Sequence, residues 1–152
     1  MKTVVKMLST FFYLGYTPLI PGTIGSLGGL LFYLMVKHDT ALYIGSLIVL
    51  IVLALLVINK AEEHFGKKDA RPIVIDEAAG MMTALLFVPQ EPVLIVFAFI
   101  SFRLFDIVKP FPIKWAETRR SPWGVILDDI IAGIYTNLAT QAFFILAIKR
   151  GV

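Results

Sequence analysis

Long uncharged runs alternate with short polar stretches along this chain, and the runs set the expected elements. Ala41–Ile58 carries no charge. Ile130–Ile148 is also uncharged, although Tyr135, Thr136, Asn137, Thr140 and Gln141 make one side of it polar. Both approach the ~20 residues that cross a hydrocarbon core as a helix. At the start, Lys2–Tyr16 reads as a short amphipathic or interfacial helix. Thr17–Ser26 (TPLIPGTIGS) holds two prolines and two glycines and should be irregular or re-entrant. A helix is expected from about Thr23–Ser26 through Val36, with Lys37–Thr40 turning the chain into the next run. After the charged stretch Asn59–Pro72, Ile73–Val88 and Val93–Phe105 predict two shorter helices joined at Pro89–Pro92. Lys109–Gly124 contains Pro110, Pro112 and Pro122 and should be irregular. The last helix is expected to start at Leu127 or Asp128 and to end at Lys149-Arg150. The fold class is all-α: one domain over residues 1–152, a compact helical membrane protein of four to five apolar helices.

Composition strengthens the membrane reading. Of the 152 residues 58% are hydrophobic and only 16% charged, against roughly 45–50% and about 25% in an average soluble domain. A soluble domain this small has too much surface to hide that surplus. The absence of cysteine excludes disulfide scaffolds, thiolate catalysis and Cys-ligated zinc. A net charge of +3, with the basic residues scattered, argues against a nucleic-acid partner and for attraction to anionic lipid. The first residues have the positive start of a signal peptide. Their short apolar stretch, broken by Gly15 and lacking a small-residue cleavage site, is expected to stay in the mature chain. Eleven of the fourteen basic residues fall on one side of this topology, with Lys37, Lys149 and Arg150 on the other. The positive-inside rule makes the majority face cytoplasmic.

Nine of the eleven acidic residues share that face, and three groups of them lie at helix ends. Asp76-Glu77 precedes Gly80 by one turn and offers hard oxygen ligands, or alternatively complements a helix dipole. Arg103, Asp106 and Lys109 follow one another at spacings of three, as a phosphate-binding set or as a structural ion-pair ladder. Asp128-Asp129 pairs like charges at a membrane boundary, where they resist joint ionisation without a cation; a helix cap would account for one of the two but not both. Together these groups describe a magnesium site. His38 and His64 have no partner at metal-ligand spacing, so zinc is not expected. Arg103 and Lys109 supply positive charge for a phosphate, and the Pro21–Ser26 turn offers backbone N–H groups. No serine or threonine sits beside an evident base, so a Ser/His nucleophile finds no support.

The segments TPLIPGTIGS, IVIDEAAG, FRLFDIVKPFPIKW and GVILDDIIAG resemble, in order and spacing, the motifs of bacterial phosphatidylglycerophosphatase A. They run from Thr17 to Gly133, most of the chain. The resemblance implies an all-helical enzyme of the bacterial inner membrane. Its activity would be magnesium-dependent hydrolysis of phosphatidylglycerol phosphate to phosphatidylglycerol and inorganic phosphate. Carried over by position, the metal-binding acids would be Asp76, Glu77, Asp106, Asp128 and Asp129, with Glu62 and Asp69 in the preceding loop. Asp76, Asp128, Asp129 and Lys109 would carry catalysis, and Arg103, Lys109, Thr23 and Ser26 would hold the phosphate. Attack by water and an aspartyl-phosphate on Asp128 or Asp129 both remain open at this stage. So do a related phosphatase acting on another phosphate ester and a small cation or substrate transporter, although a transporter would carry its acids near mid-membrane.

Overall fold

In the computed structural model, which describes residues 2–149, the chain enters as a short helix, α1 (Lys2–Ser9), and turns straight back. Phe11, Phe12 and Tyr13 all adopt left-handed backbone conformations, with φ of 43°, 57° and 69°. Buried Thr10 holds that turn together. Its hydroxyl oxygen accepts the Tyr13 N–H at 3.0 Å, and its carbonyl accepts the Gly15 N–H at 3.0 Å. A single 3-10 turn, Leu14–Tyr16, then brings the Tyr16 ring under the Lys6 ammonium, 4.8 Å away. The expected single helix over Lys2–Tyr16 is therefore a hairpin. Eight helical residues rise about 12 Å and cannot cross a core of ~30 Å.

α2 (Pro21–Val36) starts earlier than expected. A proline at the first helical position lacks only an N–H that no turn would use, and its fixed φ suits the helix. The irregular stretch thus shrinks to residues 17–20. α3 (Thr40–Phe65) is capped by Asp39, whose carboxylate accepts the Leu42 N–H at 3.0 Å. α4 (Ile75–Ala84) stops four residues short of Val88. α5 (Pro92–Val108) again opens on proline and runs past Phe105. The stretch expected to be wholly irregular contains α6 (Ile113–Glu117), anchored by fully buried Ile113 and Ala116. α7 (Trp123–Lys149) begins a turn before Leu127, because Pro122 precedes its first residue rather than interrupting it. Arg150 lies outside the described residues. No strand occurs among those described. Two helices, α3 and α7, are long and apolar enough to cross a membrane. The outward faces of α3 and α5 leave Ile48, Val52, Val96, Ile100 and Leu104 exposed.

α4 is the centre of the bundle, packed between α2 and α7 and almost entirely buried. Its small residues Ala78, Ala79, Gly80 and Ala84 allow neighbouring backbones to touch it. The closest approach is at Gly133 of α7, where a Cβ would collide with the Gly80 carbonyl oxygen and stand 3.0 Å from Thr83 Cβ. Because α4 ends inside the bundle, its last carbonyls need donors there. Asn137 Nδ2 donates to the carbonyls of Ala84 (3.1 Å) and Leu86 (2.6 Å). The Tyr43 hydroxyl donates to that of Met82. At the other end, Lys68 Nζ donates to the Arg119 carbonyl at 3.1 Å and ties the loop before α4 to the loop before α7.

Two substitutions test this packing. Gly133→Val should destabilise the protein by about 1–3 kcal/mol through overpacking, read as a lower thermal midpoint in detergent; an unchanged midpoint would mean that α4 and α7 are not in backbone contact. Asn137→Leu keeps the volume but strands two carbonyls. It should cost about 1–2 kcal/mol, with hydrogen exchange speeding up at the end of α4 in particular.

Candidate active site

Four elements converge where α4 and α7 begin and α5 ends. The first turn of α4 supplies Asp76 and Glu77. α7 supplies Asp128 and Asp129 from its second turn, so neither caps the helix. Adjacent on a helix, they diverge by about 100°. α5 ends in Asp106 and Lys109, and the loop before α4 adds Asp69. With Val125, these residues line a recess of about 150 Å³. That is small beside the ~300–1,000 Å³ of pockets that enclose whole organic ligands. A phosphate group fits such a space and a lipid does not.

The acids are deeply buried: Asp76, Asp129 and Asp128 are 3%, 4% and 5% exposed. One ligand oxygen from each of Asp76, Glu77 and Asp129 lies within 4.8 Å of the others. Four oxygens, Asp76 Oδ1, Glu77 Oε2, Asp128 Oδ1 and Asp129 Oδ1, are buried with no hydrogen-bond partner. Buried polar atoms are almost always paired, and carboxylates are the costliest to strand. A set of converging, donorless carboxylate oxygens can hold a metal ion, with hard oxygen-seeking cations the natural occupants.

Two residues of the site pay for their positions in backbone strain. Lys109, at the C-cap of α5, has φ of 47°, a left-handed conformation usually left to glycine or asparagine. This backbone carries its ammonium to 2.7 Å from Asp128 Oδ2 and 2.9 Å from Glu117 Oε1. Burial works against the charge on Lys109, but the hydrogen bonds and attraction of Asp128 and Glu117 outweigh it and hold the ammonium above its ordinary pKa. Asp69 also has φ of 47°, a conformation aspartate tolerates better than most residues. Its N–H donates to Glu62 Oε1 at 2.7 Å. Desolvation of the face turned to the recess raises the Asp69 carboxyl, Lys109 opposes that, and the acids Glu117, Glu62 and Asp106 reinforce it.

Behind the acids, Arg103 Nη1 pairs with Asp106 Oδ2 at 2.9 Å and donates to Ser26 Oγ at 3.1 Å. The Ser26 hydroxyl donates in turn to the Gly22 carbonyl at 2.9 Å. A Cβ on Gly22 would stand 2.7 Å from Glu77 Oε1 and 3.1 Å from Arg103 Nη2, so α2 comes close to the ends of both side chains at this glycine.

The residues expected from sequence separate into layers. Asp69, Asp76, Glu77, Asp106, Lys109, Asp128 and Asp129 line the recess. Glu62, Ser26 and Arg103 stand one step behind it, holding Asp69 and Asp106. Thr23, half-buried on α2, is not among the lining residues. Sequence reasoning passed over Glu117, the second partner of Lys109, and the close approach at Gly22. Glu117 follows Lys109 by eight residues across two prolines, so no helical spacing links them. The available signal was that Glu117 is the one acid in Lys109–Gly124.

The sequence model of the phosphatidylglycerophosphatase A family matches residues 7–144. Escherichia coli K12 phosphatidylglycerophosphatase A is 35% identical over 133 residues, covering 84% of this chain and 76% of its own. The Haemophilus influenzae Rd protein of the same name is 32% identical over 146 residues, with 91% and 87% covered. A Bacteroides thetaiotaomicron protein provisionally named phosphatidylinositol-3-phosphatase is 32% identical over 155 residues, with 96% and 93% covered. No solved structure matches the chain. The family match takes in every residue of the recess, from the loop before α4 to the second turn of α7, and the chain therefore belongs to the phosphatidylglycerophosphatase A family of phosphatases.

Proposed function

We propose that this chain hydrolyses phosphatidylglycerol phosphate to phosphatidylglycerol and inorganic phosphate, with magnesium, at the cytoplasmic face of a bacterial inner membrane. The observation that carries the chemistry is the set of buried, donorless carboxylate oxygens beside Lys109 and Arg103. The membrane setting rests on the two span-length apolar helices and on the basic loops gathered at the end of the bundle that bears the recess. The substrate comes from the names of the relatives.

Asp76, Glu77 and Asp129 are the residues to hold the ion, because their oxygens already converge. Magnesium bound there supplies Lewis-acid charge toward a phosphoryl oxygen. Lys109 orients the phosphate by a charge-assisted hydrogen bond, and Arg103 acts from behind the recess by holding Asp106. Asp128 is placed to act as the general base. One of its oxygens is tied to Lys109 and the other is free, so the carboxylate is oriented without being consumed. Water attacks phosphorus, its proton passes to Asp128, and the bond to the glycerol oxygen breaks with its electron pair on that oxygen, which takes a proton from solvent to become the alcohol of phosphatidylglycerol. The recess admits only the phosphate end of a substrate and so does not itself choose the alcohol. Phosphatidylinositol 3-phosphate, suggested by the name of the Bacteroides relative, is accordingly the comparison substrate.

Purified protein in mixed micelles should release phosphate from phosphatidylglycerol phosphate faster than from phosphatidylinositol 3-phosphate. Chelation with EDTA should abolish release, and added magnesium should restore it. The reverse preference would keep the chemistry and replace the substrate, whereas turnover untouched by EDTA would remove the metal. Asp76→Asn and Asp129→Asn should each lower turnover by at least about a hundredfold while the thermal midpoint holds or rises, since each removes a buried charge.

A further inference from the structure

The loop between α5 and α7 carries an unusual surface. Phe111, Trp115 and Trp123 are 80%, 50% and 56% exposed, although Ile113 and Ala116 of the same segment are fully buried against the bundle. Lys114, Arg119 and Arg120 are exposed among the aromatics. The Arg119 guanidinium lies 3.8 Å from the centre of the Trp115 ring. The segment is not loose: α6 packs against α7, the Tyr135 hydroxyl donates to the Phe111 carbonyl at 3.1 Å, and Lys68 holds the Arg119 carbonyl. The phosphatase chemistry uses from it only Glu117.

We infer that residues 111–123 form a membrane-interface anchor whose partner is the anionic leaflet around the protein, and that this anchor seats the recess at the depth of the lipid phosphates. The inference rests on the membrane-phosphatase reading above. Tryptophan rings concentrate at the boundary between hydrocarbon and water, where their apolar body and N–H are both satisfied. Interleaved lysine and arginine add attraction to anionic head groups. The segment also sits at the right level. Trp123 is the first residue of α7, a helix long enough to span, and Ile107 and Val108 at the end of α5 are exposed and apolar. An aqueous position would leave three large aromatics of one segment in water. A symmetric contact with a second copy would set the patch that carries Lys114, Arg119 and Arg120 against the same basic patch. Glu117 links anchor and chemistry, because α6 carries it into contact with Lys109.

The chain contains two tryptophans and both lie in this segment, so the intact protein reports on it without mutation. The full chain is reconstituted into phosphatidylcholine–phosphatidylglycerol vesicles, and flotation establishes that it is inserted. Its emission is then quenched by lipids brominated at shallow or at deep acyl positions and by acrylamide in the water. Strong quenching by the shallow bromines and weak quenching by the other two is expected. Dominant quenching by acrylamide, in protein that floats, puts the segment in water and overturns the anchor while leaving the membrane reading intact. Dominant quenching by deep bromines also overturns it, and failure to float removes the membrane reading itself. Trp123→Asp provides a functional arm, since an acid at the first helical position suits the helix dipole and should not disturb folding. Turnover of vesicle-borne lipid phosphate should fall several-fold and turnover of a water-soluble short-chain analogue should not. Equal losses on both substrates would show that Trp123 supports the recess rather than the membrane contact.

Discussion

Carboxylate oxygens buried without donors are the constraint around which this molecule is arranged. In an apolar bundle, each such oxygen is a liability of several kcal/mol unless a cation or a proton answers it. Three helices and a loop nonetheless deliver acids to one point, where the oxygens of Asp76, Glu77 and Asp129 converge. Asp128 is half answered by Lys109. That answer requires a lysine in a left-handed conformation at the end of α5. Strain of this kind persists only where surrounding structure over-determines it, and here the determinants are the Asp128 and Glu117 carboxylates that the ammonium bridges.

The short central helix follows from the same constraint. If α4 crossed the membrane, its last carbonyls would reach the far interface and need no donors inside the bundle. Instead it is a ten-residue plug whose N-terminal end presents acids to the recess and whose C-terminal end is satisfied inside the bundle by Asn137 and Tyr43. Backbone contact between Gly133 and Gly80 sets α7 against this plug one turn beyond Asp129. The distance between the Asp129 and Asp76 carboxylates is thus decided by glycines rather than by the acids themselves.

Residue chemistry and local periodicity made part of this legible in advance. Paired acids at the mouths of apolar helices, Asp76-Glu77 and Asp128-Asp129, stand out because unpaired carboxylates are costly to desolvate there. The long helices α3 and α7 are visible as uncharged runs. Beyond these, the information was tertiary. Glu117 meets Lys109 through a loop whose path no spacing rule describes. The start of α2 at Pro21 depended on reading a proline as an opening residue rather than a breaker. Ser26 and Glu62 carry the right chemistry to touch substrate or metal, but the fold gives them Arg103 and the Asp69 backbone as partners. A polar residue in a motif can be conscripted by its neighbours, and only coordinates distinguish that from direct contact.

The dimensions of the recess locate specificity elsewhere. A space of about 150 Å³ walled by acids, Lys109 and Val125 is large enough for the phosphate group of the proposed substrate and too small for its alcohol. Discrimination among lipid phosphates must then come from what surrounds it: Lys68 and Asp69 in the loop before α4, and the aromatic and basic segment between α5 and α7, whose Glu117 lies beside them. Of these, the last carries the most surface and the most mixed chemistry. Relatives whose names differ in substrate align over most of the chain, which agrees with the proposed division of labour. In that proposal the acids supply the chemistry, and a rim built from other segments is free to change its preferred head group without disturbing a single carboxylate.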